Sequence, residues 1–164
     1  MNKGGQKPRA ILVFGVPMSG KSAFADHFSE QFHAPHLDIT SLEHDHNIPR
    51  KTILVVIKEI AKCKQAIILE GGISTEADRN EIRDLMKEAG YLTSLIWVQT
   101  DLTTIKKRLK TKFGDRAKAI FEEETAKLEA PSEAEHPIVV SGKHTFESQL
   151  RTVLANLSKH DPTR

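Results

Sequence analysis

The 164-residue chain has little cysteine, few aromatic residues and little net charge. Its single cysteine, Cys63, excludes an internal disulfide, and no cysteine pair has the spacing of a zinc site. No stretch reaches the roughly 18 consecutive apolar residues that a membrane span needs. A net charge of +2 and an aromatic content of 5% argue against a general nucleic-acid or membrane binder. We therefore expect a soluble globular protein, and the lone cysteine fits the reducing cytoplasm.

The chain is long enough for one domain with one core. Residues 1–8 are polar and glycine-rich, and we expect them to form a disordered tail ahead of a single domain over residues 9–160. The apolar run that follows the tail is too short for a signal peptide and lacks a cleavage site. The sequence thus favours a cytoplasmic protein.

Short apolar runs alternate with amphipathic segments along the chain. The runs lack polar alternation, which favours strands buried on both faces of a parallel sheet. They cover residues 10–14, 66–69, 94–98 and 137–140, with residues 35–37 as a weaker candidate. Strand–helix alternation predicts βαβ units in an α/β fold, and the ligands of such sheets bind at the carboxyl ends of the strands.

The segments between these runs have helical periodicity. Residues 75–89 and 101–110 are predicted helices, with Thr75 and Asp101 as their N-terminal caps. In the second of these helices the predicted buried stripe is Leu102, Ile105 and Leu109. A further helix is predicted with Asn47 and Pro49 as its cap and first turn, running to about residue 62, although residues 53–57 could also form a strand by composition.

The segment GVPMSGKS matches the phosphate-loop pattern G-x-x-x-x-G-K-[ST] between a predicted strand and an amphipathic helix. Its glycines permit backbone angles and close approaches that a side chain would block. Backbone N–H groups would surround a β-phosphate at the helix N-terminus, while the lysine reaches the β- and γ-phosphates and the last hydroxyl binds Mg²⁺. The predicted nucleotide-binding residues are Gly15, Val16, Pro17, Met18, Ser19, Gly20, Lys21 and Ser22. This motif predicts a nucleoside triphosphate ligand, ATP, together with Mg²⁺.

An acid also ends the second long apolar run. Glu70 follows residues 66–69, at the position where phosphate-loop proteins hold Mg²⁺ or its bound water. Ser22 and Glu70 are therefore the predicted metal site, and the alternative for Glu70 is an ordinary surface carboxylate at a strand end. The sequence has no guanine-specificity motif of the N-K-x-D type and is too short for a large ATPase motor. A compact kinase fits best.

With these motifs the chain resembles the small P-loop kinases, specifically the polynucleotide-kinase and zeta-toxin-like branch, with shikimate and gluconate kinases further off. The resemblance runs from Arg9 to Leu157 through GVPMSGKS, AIILEGG, TEADRNEIRDLMKEAG and LIWVQTDLTTIKKRLKTK. It implies a P-loop NTPase fold with a five-stranded parallel sheet flanked by helices. It also implies a small helical lid over about residues 111–130, a segment that closes over the substrates in such kinases.

The resemblance further implies an ATP-dependent phosphotransferase that moves the γ-phosphoryl group to a hydroxyl or phosphate of a small metabolite or nucleotide. Relatives often carry Gly or Ser in place of Met18, and Asp with a polar residue in place of Glu70-Gly71. These departures keep a second hypothesis open, a nucleotide-binding regulatory module without transfer activity. A polynucleotide 5′-hydroxyl kinase is the third, although the low net charge disfavours nucleic acid.

Asp38 follows the weak strand candidate on the expected acceptor side. In similar kinases an acid near this point takes the proton of the acceptor hydroxyl. Glu43 and Asp45 are alternatives, and Asp38 could instead cap a turn or helix. Four histidines surround this segment without a regular zinc spacing, and we interpret them as solvated loop residues. They are His33, His36, His44 and His46.

Seven basic residues and one acid lie between residues 106 and 118. Arg108 and Arg116 are the predicted groups that stabilise the transferring phosphoryl group, because a guanidinium binds phosphate with two hydrogen bonds. The alternative is a solvated helix face. Arg79 is expected either to contact the acceptor or to form a surface ion pair.

Ser141, Gly142 and Lys143 follow the last predicted strand. Similar kinases close over the adenine base at this position, so these three residues are predicted to bind the nucleotide. The alternative is an ordinary strand-to-helix turn.

Overall fold

The computed structural model of the protein describes residues 7–159, so most of the predicted tail and the end of the predicted domain lie outside the described residues. The described residues form five strands, which are β1 (Arg9–Phe14), β2 (His36–Asp38), β3 (Ile67–Glu70), β4 (Leu92–Gln99) and β5 (Ile138–Ser141). They also form seven α-helices, which are α1 (Lys21–Phe32), α2 (Ile39–His44), α3 (Arg50–Ala61), α4 (Glu76–Glu88), α5 (Leu102–Phe113), α6 (Ala117–Ala126) and α7 (Phe146–Lys159).

The strands form one parallel sheet in the order β2-β3-β1-β4-β5. Strand β1 lies in the middle, and its successive side chains point to opposite faces, as in any strand. Ala10, Leu12 and Phe14 pack in a core with α3 and α4, whereas Ile11 and Val13 pack in a second core with α1 and α7. Helices on both faces explain why the central strands are apolar without alternation, and the predicted α/β class with a five-stranded parallel sheet is confirmed.

Two predicted helices begin at the expected caps. The Thr75 hydroxyl accepts from the backbone N–H of Asp78, whose carboxylate accepts from the N–H of Thr75, so α4 starts with a capping box. The Asp101 carboxylate accepts from the N–H of Thr104 at 2.9 Å and starts α5. The prediction that Leu102 is buried was wrong: its exposed fraction is 57%, because it stands at the first position of α5 and faces solvent.

Residues 53–57 belong to α3 and not to a strand, because Ile53, Ile57 and Ala61 recur at helical spacing and are buried together. The expected cap at Asn47 was wrong, because Pro49 takes the cap position of α3. The weak strand candidate is real: β2 pairs with β3 at the edge of the sheet. Helices α5 and α6 are joined by a single 3₁₀ turn, Gly114–Arg116, and the predicted lid falls on this region. Within residues 7–159 no helix combines the length and the apolar content that crossing a membrane requires.

Candidate active site

The phosphate loop joins β1 to α1 at the carboxyl edge of the sheet. Gly15 has no room for a side chain, because a Cβ there would collide with the carbonyl oxygen of Val98. Gly20 has φ +99°, in the left-handed region that favours glycine. Helix α1 begins at Lys21, and among the described residues no side chain caps it. Its first N–H groups are therefore left for a ligand, as a phosphate site requires.

Met18 also adopts a left-handed backbone conformation, with φ +62°. A non-glycine residue is strained there by roughly 1–2 kcal/mol. The Met18 carbonyl accepts a hydrogen bond from Arg108 Nη1 at 2.9 Å. Helix α5 thus contacts the loop directly.

The turn after β5 packs on the other side of the phosphate loop. Gly142 lies so close to the Ser19 carbonyl that a Cβ at Gly142 would collide with it. That carbonyl also accepts a hydrogen bond from Thr100 Oγ1 at 2.8 Å. Gly142 therefore packs against the loop, whereas the Lys143 ammonium pairs with Asp101 at 3.0 Å.

Glu70 ends β3 beside the loop, and its side chain is 1% exposed. Ser22 Oγ donates to Glu70 Oε1 at 2.5 Å. Burial raises the pKa of the Glu70 carboxyl, but hydrogen bonds from His36 and Ser22 and the charge of Lys21 outweigh burial and hold the pKa below its ordinary value. A hydroxyl and an ionised carboxylate in contact are oxygen donors of the type that Mg²⁺ prefers.

His36 is the residue that the sequence reasoning missed. It lies in β2, where its Nε2 is 2.9 Å from Glu70 Oε2 and its Nδ1 is 3.0 Å from Asp26 Oδ1. Its side chain is 15% exposed, so the interpretation as a solvated loop histidine was wrong for this residue. The hydrogen bond to Glu70, opposed in part by burial, raises the pKa of the imidazole. Only the parallel pairing of β2 with β3 brings it to Glu70.

An open cavity of about 770 Å³ borders the loop. Its floor is the loop and the start of α1, and its walls come from α2, α5, α6 and the start of α7. The wall residues are Thr40, His44, Asp45, Arg108, Lys112, Phe113, Ile120, Glu124, Gly142, His144, Phe146 and Gln149. One side of the loop therefore faces α2, and the other faces the turn after β5.

No protein-family model matches the chain. Over 115 residues it is 30% identical to the thermoresistant gluconokinase of Escherichia coli strain K12, and the match covers 63% of this chain and 66% of that enzyme. A gluconokinase structure from Sinorhizobium meliloti superposes with a TM-score of 0.71 at 18% identity, covering 97% of both chains. The APS kinase of Mycobacterium tuberculosis gives a TM-score of 0.66 at 18% identity, covering 94% of this chain and 99% of that one.

In sequence the chain is similar to a gluconokinase, and in fold it is similar to the small P-loop kinases. The match to the curated gluconokinase spans just under two thirds of that enzyme's length. Its relatives here are gluconate and APS kinases, whereas the sequence resemblance pointed first to the polynucleotide-kinase branch. The P-loop kinase fold that the resemblance implied is confirmed, and the similarity to gluconokinase agrees with the resemblance to small P-loop kinases.

Asp38 ends β2, where its Cα pairs in register with that of Glu70, and it is not among the residues that line the cavity. Its Oδ1 accepts from the N–H of Ser41 at 2.9 Å, so it also caps α2. The other two acids differ in position: Asp45 lines the cavity, whereas Glu43 accepts a hydrogen bond from Arg50 at 3.2 Å. Which acid acts as the base stays a prediction.

The two predicted arginines are in different surroundings. Arg108 lines the cavity and contacts the loop. Arg116 lies in the exposed 3₁₀ turn between α5 and α6 and is not among the residues that line the cavity. Lys112, one turn after Arg108, takes a place in the cavity wall instead. A role for Arg116 stays a prediction that requires movement of the turn.

Arg79 is neither an acceptor contact nor a surface group. Its side chain is 0% exposed and binds Glu135 through Nε at 2.7 Å and Nη2 at 3.0 Å. Its Nη1 contacts the carbonyl oxygens of residues 73, 74 and 129 at 3.1–3.3 Å. Arg79 thus joins the end of β3 to the segment that follows α6.

Proposed function

We propose that this chain transfers the γ-phosphoryl group of ATP to a hydroxyl or phosphate group of a small metabolite or nucleotide. The observation that carries the proposal is one cavity bordered by both the phosphate loop and α2. Such a cavity can hold a triphosphate and an acceptor side by side, which is the arrangement that phosphoryl transfer needs. The related APS kinase was solved with AMPPNP, an ATP analogue, and with APS bound together, which supports a two-substrate site.

Each side chain near the loop has a role in this proposal. Lys21 neutralises the β- and γ-phosphates, and Arg108 adds positive charge as the transferring group develops negative charge. Asp38 takes the proton of an acceptor hydroxyl, with Asp45 as the alternative base. Arg116 joins Arg108 only if the turn Gly114–Arg116 moves toward the loop.

Ser22 and Glu70 would hold Mg²⁺. Their oxygen atoms already meet at 2.5 Å beside the loop, and Glu70 is an ionised carboxylate with a lowered pKa. The hydroxyl suits direct coordination, and the buried carboxylate can act through a water molecule. When bound, the ion would supply positive charge that offsets the negative charge of the phosphates.

The adenine base fits on the far side of the loop from α2. There the turn 141–143 provides backbone groups at Gly142, and the rings of His144 and Phe146 line the cavity. His27 lies nearby, with its ring 5.2 Å from that of Phe146. Flat apolar and imidazole surfaces are suited to stacking against a purine.

The test compares Lys21→Ala with Lys58→Ala, an exposed lysine on α3 whose ion pair with Glu88 at 3.8 Å lies away from the loop. ATP affinity is measured by calorimetry, and ADP release is measured with a panel of sugar acids, sugars, nucleosides and nucleotides. Lys21→Ala should lose ATP binding and turnover, while Lys58→Ala should retain both. Equal ATP affinity in the two folded variants would remove the phosphate-loop assignment.

The acceptor panel separates the remaining functions. Product phosphorylation that depends on one small molecule supports the kinase proposal. Tight, Lys21-dependent ATP binding without ADP release on any acceptor supports a regulatory module instead. Phosphorylation of a DNA 5′-hydroxyl with steep salt dependence would point to a polynucleotide kinase.

A further inference from the structure

The carboxylate of Glu70 is held at both oxygens. Oε1 accepts from the hydroxyl of Ser22, and Oε2 is bound by the imidazole of His36 at 2.9 Å. A glutamate has one more rotatable bond than an aspartate, so its carboxylate needs more restraint to stay in one orientation. Without such restraint, a longer carboxylate would sample several directions.

His36 is itself fixed by the structure. Its second ring nitrogen binds Asp26 at 3.0 Å, and Asp26 lies on α1 four residues after Ser22, on the same face of the helix. The contacts therefore close a ring through α1, β3 and β2, formed by Ser22, Glu70, His36 and Asp26. Because ionised carboxylate oxygens only accept, a neutral imidazole donates to one of the two carboxylates, and a protonated imidazolium donates to both.

We propose that His36 is a positioning residue for the metal-side carboxylate: it holds Glu70 in the orientation that meets Ser22. The inference rests on the proposed role of Ser22 and Glu70 toward Mg²⁺. His36 touches neither nucleotide nor acceptor in this proposal, and it acts only through Glu70. It assigns a function to a strand, β2, that is only three residues long and lies at the edge of the sheet.

A purely structural role makes a different prediction. If His36 only fastened β2 to its neighbours, its loss would weaken the fold and all nucleotide binding together. If it positions Glu70, its loss should leave metal-free ATP binding intact and change only the response to Mg²⁺. Groups that orient metal-site residues typically change metal affinity about 10–100-fold when they are removed.

The experiment measures ATP affinity by calorimetry in EDTA and over a range of Mg²⁺ concentrations. His36→Phe keeps an aromatic ring without donors, and His36→Ala serves as a second variant should the phenylalanine not be accommodated. His36→Gln restores an N–H donor toward Glu70. We expect His36→Phe to need at least about tenfold more Mg²⁺ for the same gain in ATP affinity. His36→Gln should return to within about threefold of the original protein, since one donor is restored.

Ser29→Ala is the matched structural control. Ser29 Oγ donates to the Ala34 carbonyl at 2.7 Å and ties α1 to the segment that leads into β2, but it does not contact Glu70. This variant should melt at a lower temperature and keep the original Mg²⁺ response. The Ser29→Ala control therefore distinguishes the effect of a loosened β2 from the effect of losing the contact between His36 and Glu70.

Three results would overturn the inference: an unchanged Mg²⁺ response in His36→Phe and His36→Ala, a parallel loss of metal-free ATP binding, or a His36→Gln protein that behaves like His36→Phe. Lys21→Ala distinguishes this failure from failure of the proposed function. Lost ATP binding in Lys21→Ala together with a normal His36→Phe protein rejects only the role of His36. Retained ATP binding in Lys21→Ala rejects both.

Discussion

Replacing Glu135 with glutamine should lower the free energy of unfolding sharply, because it removes the counterion of a buried guanidinium. Arg79 and Glu135 have side-chain exposures of 0% and 4% and share two hydrogen bonds. The Arg79 guanidinium also lies 5.2 Å from the centre of the Phe14 ring, at the level of the sheet. Glutamine keeps the shape of Glu135 but leaves the positive charge without its partner.

The magnitude follows from the ionisation of Glu135. The hydrogen bond from Arg79, opposed in part by burial, lowers the pKa of Glu135 from 4.5 to about 2. At 1.36 kcal/mol per pKa unit, this shift corresponds to about 3 kcal/mol. Breaking a buried pair by removing one partner costs about 3–5 kcal/mol, in agreement. For a domain of this size, the melting temperature should fall by about 10 °C.

The pH dependence has a definite sign. A carboxylate with a lowered folded-state pKa stabilises the protein fully above its unfolded-state value and loses that contribution as pH falls. The stability gap between the original protein and Glu135→Gln should therefore be full at pH 7 and should shrink between pH 4.5 and about pH 2. Comparing the two proteins cancels the other carboxylates that titrate in the same range.

The assay is urea unfolding, followed by circular dichroism, at several pH values. Glu129→Gln is the control, because Glu129 also lies after α6 and its carboxylate accepts from the N–H of Glu76 at 2.8 Å in an exposed position. This control should cost less than about 1 kcal/mol. A gap below about 1 kcal/mol for Glu135→Gln, or a gap that does not change with pH, would refute the electrostatic reasoning.

Three further outcomes are expected. Gly142→Ala should weaken ATP binding and lower the melting temperature, since its Cβ would collide with the carbonyl of Ser19; calorimetry and thermal melting check this. Tyr91→Phe should cost about 1 kcal/mol in urea unfolding, because the buried Tyr91 hydroxyl donates to a carbonyl of α3 at 3.1 Å. Mg-ATP should slow amide exchange over residues 111–120, and Arg116→Ala should lower turnover more than ATP affinity. Equal exchange with and without nucleotide would leave that segment a solvated basic helix.

Much of the fold could be predicted because its determinants are local. Strands covered on both faces leave continuous apolar runs, and helix starts carry caps such as Thr75 and Asp101 next to the helices that they begin. Residues 53–57 were ambiguous between helix and strand because a short run of β-branched residues fits the periodicity of either element. The burial of Leu102 was predicted wrongly because periodicity identifies the apolar face of a helix but not how far along the helix that face stays packed against other elements.

In the candidate site, too, the residues with local sequence signals could be predicted, and those with distant partners could not. The phosphate loop was found because its eight residues are consecutive, and Glu70 because it ends a recognisable strand. His36 and Arg79 were misjudged because their partners are distant: 34 residues separate His36 from Glu70, and 56 separate Arg79 from Glu135. Whether a histidine is solvated or an arginine is buried depends on which segments become neighbours. The pairing of strands determines which segments become neighbours, and a local sequence pattern does not predict that pairing.

The central position of β1 has a consequence for how the chain is made. Strand β1 pairs Ala10 with Ile67 and Arg9 with Leu92, so both of its neighbours are synthesised long after it. Translation adds about 5–20 residues per second, and a growing chain therefore carries β1 unpaired for seconds. Its segment ILVF is apolar, uncharged and rich in β-forming residues, the composition that favours contacts between chains. A strand that is almost fully buried in the finished protein must therefore be shielded from other chains while the ribosome is still at work.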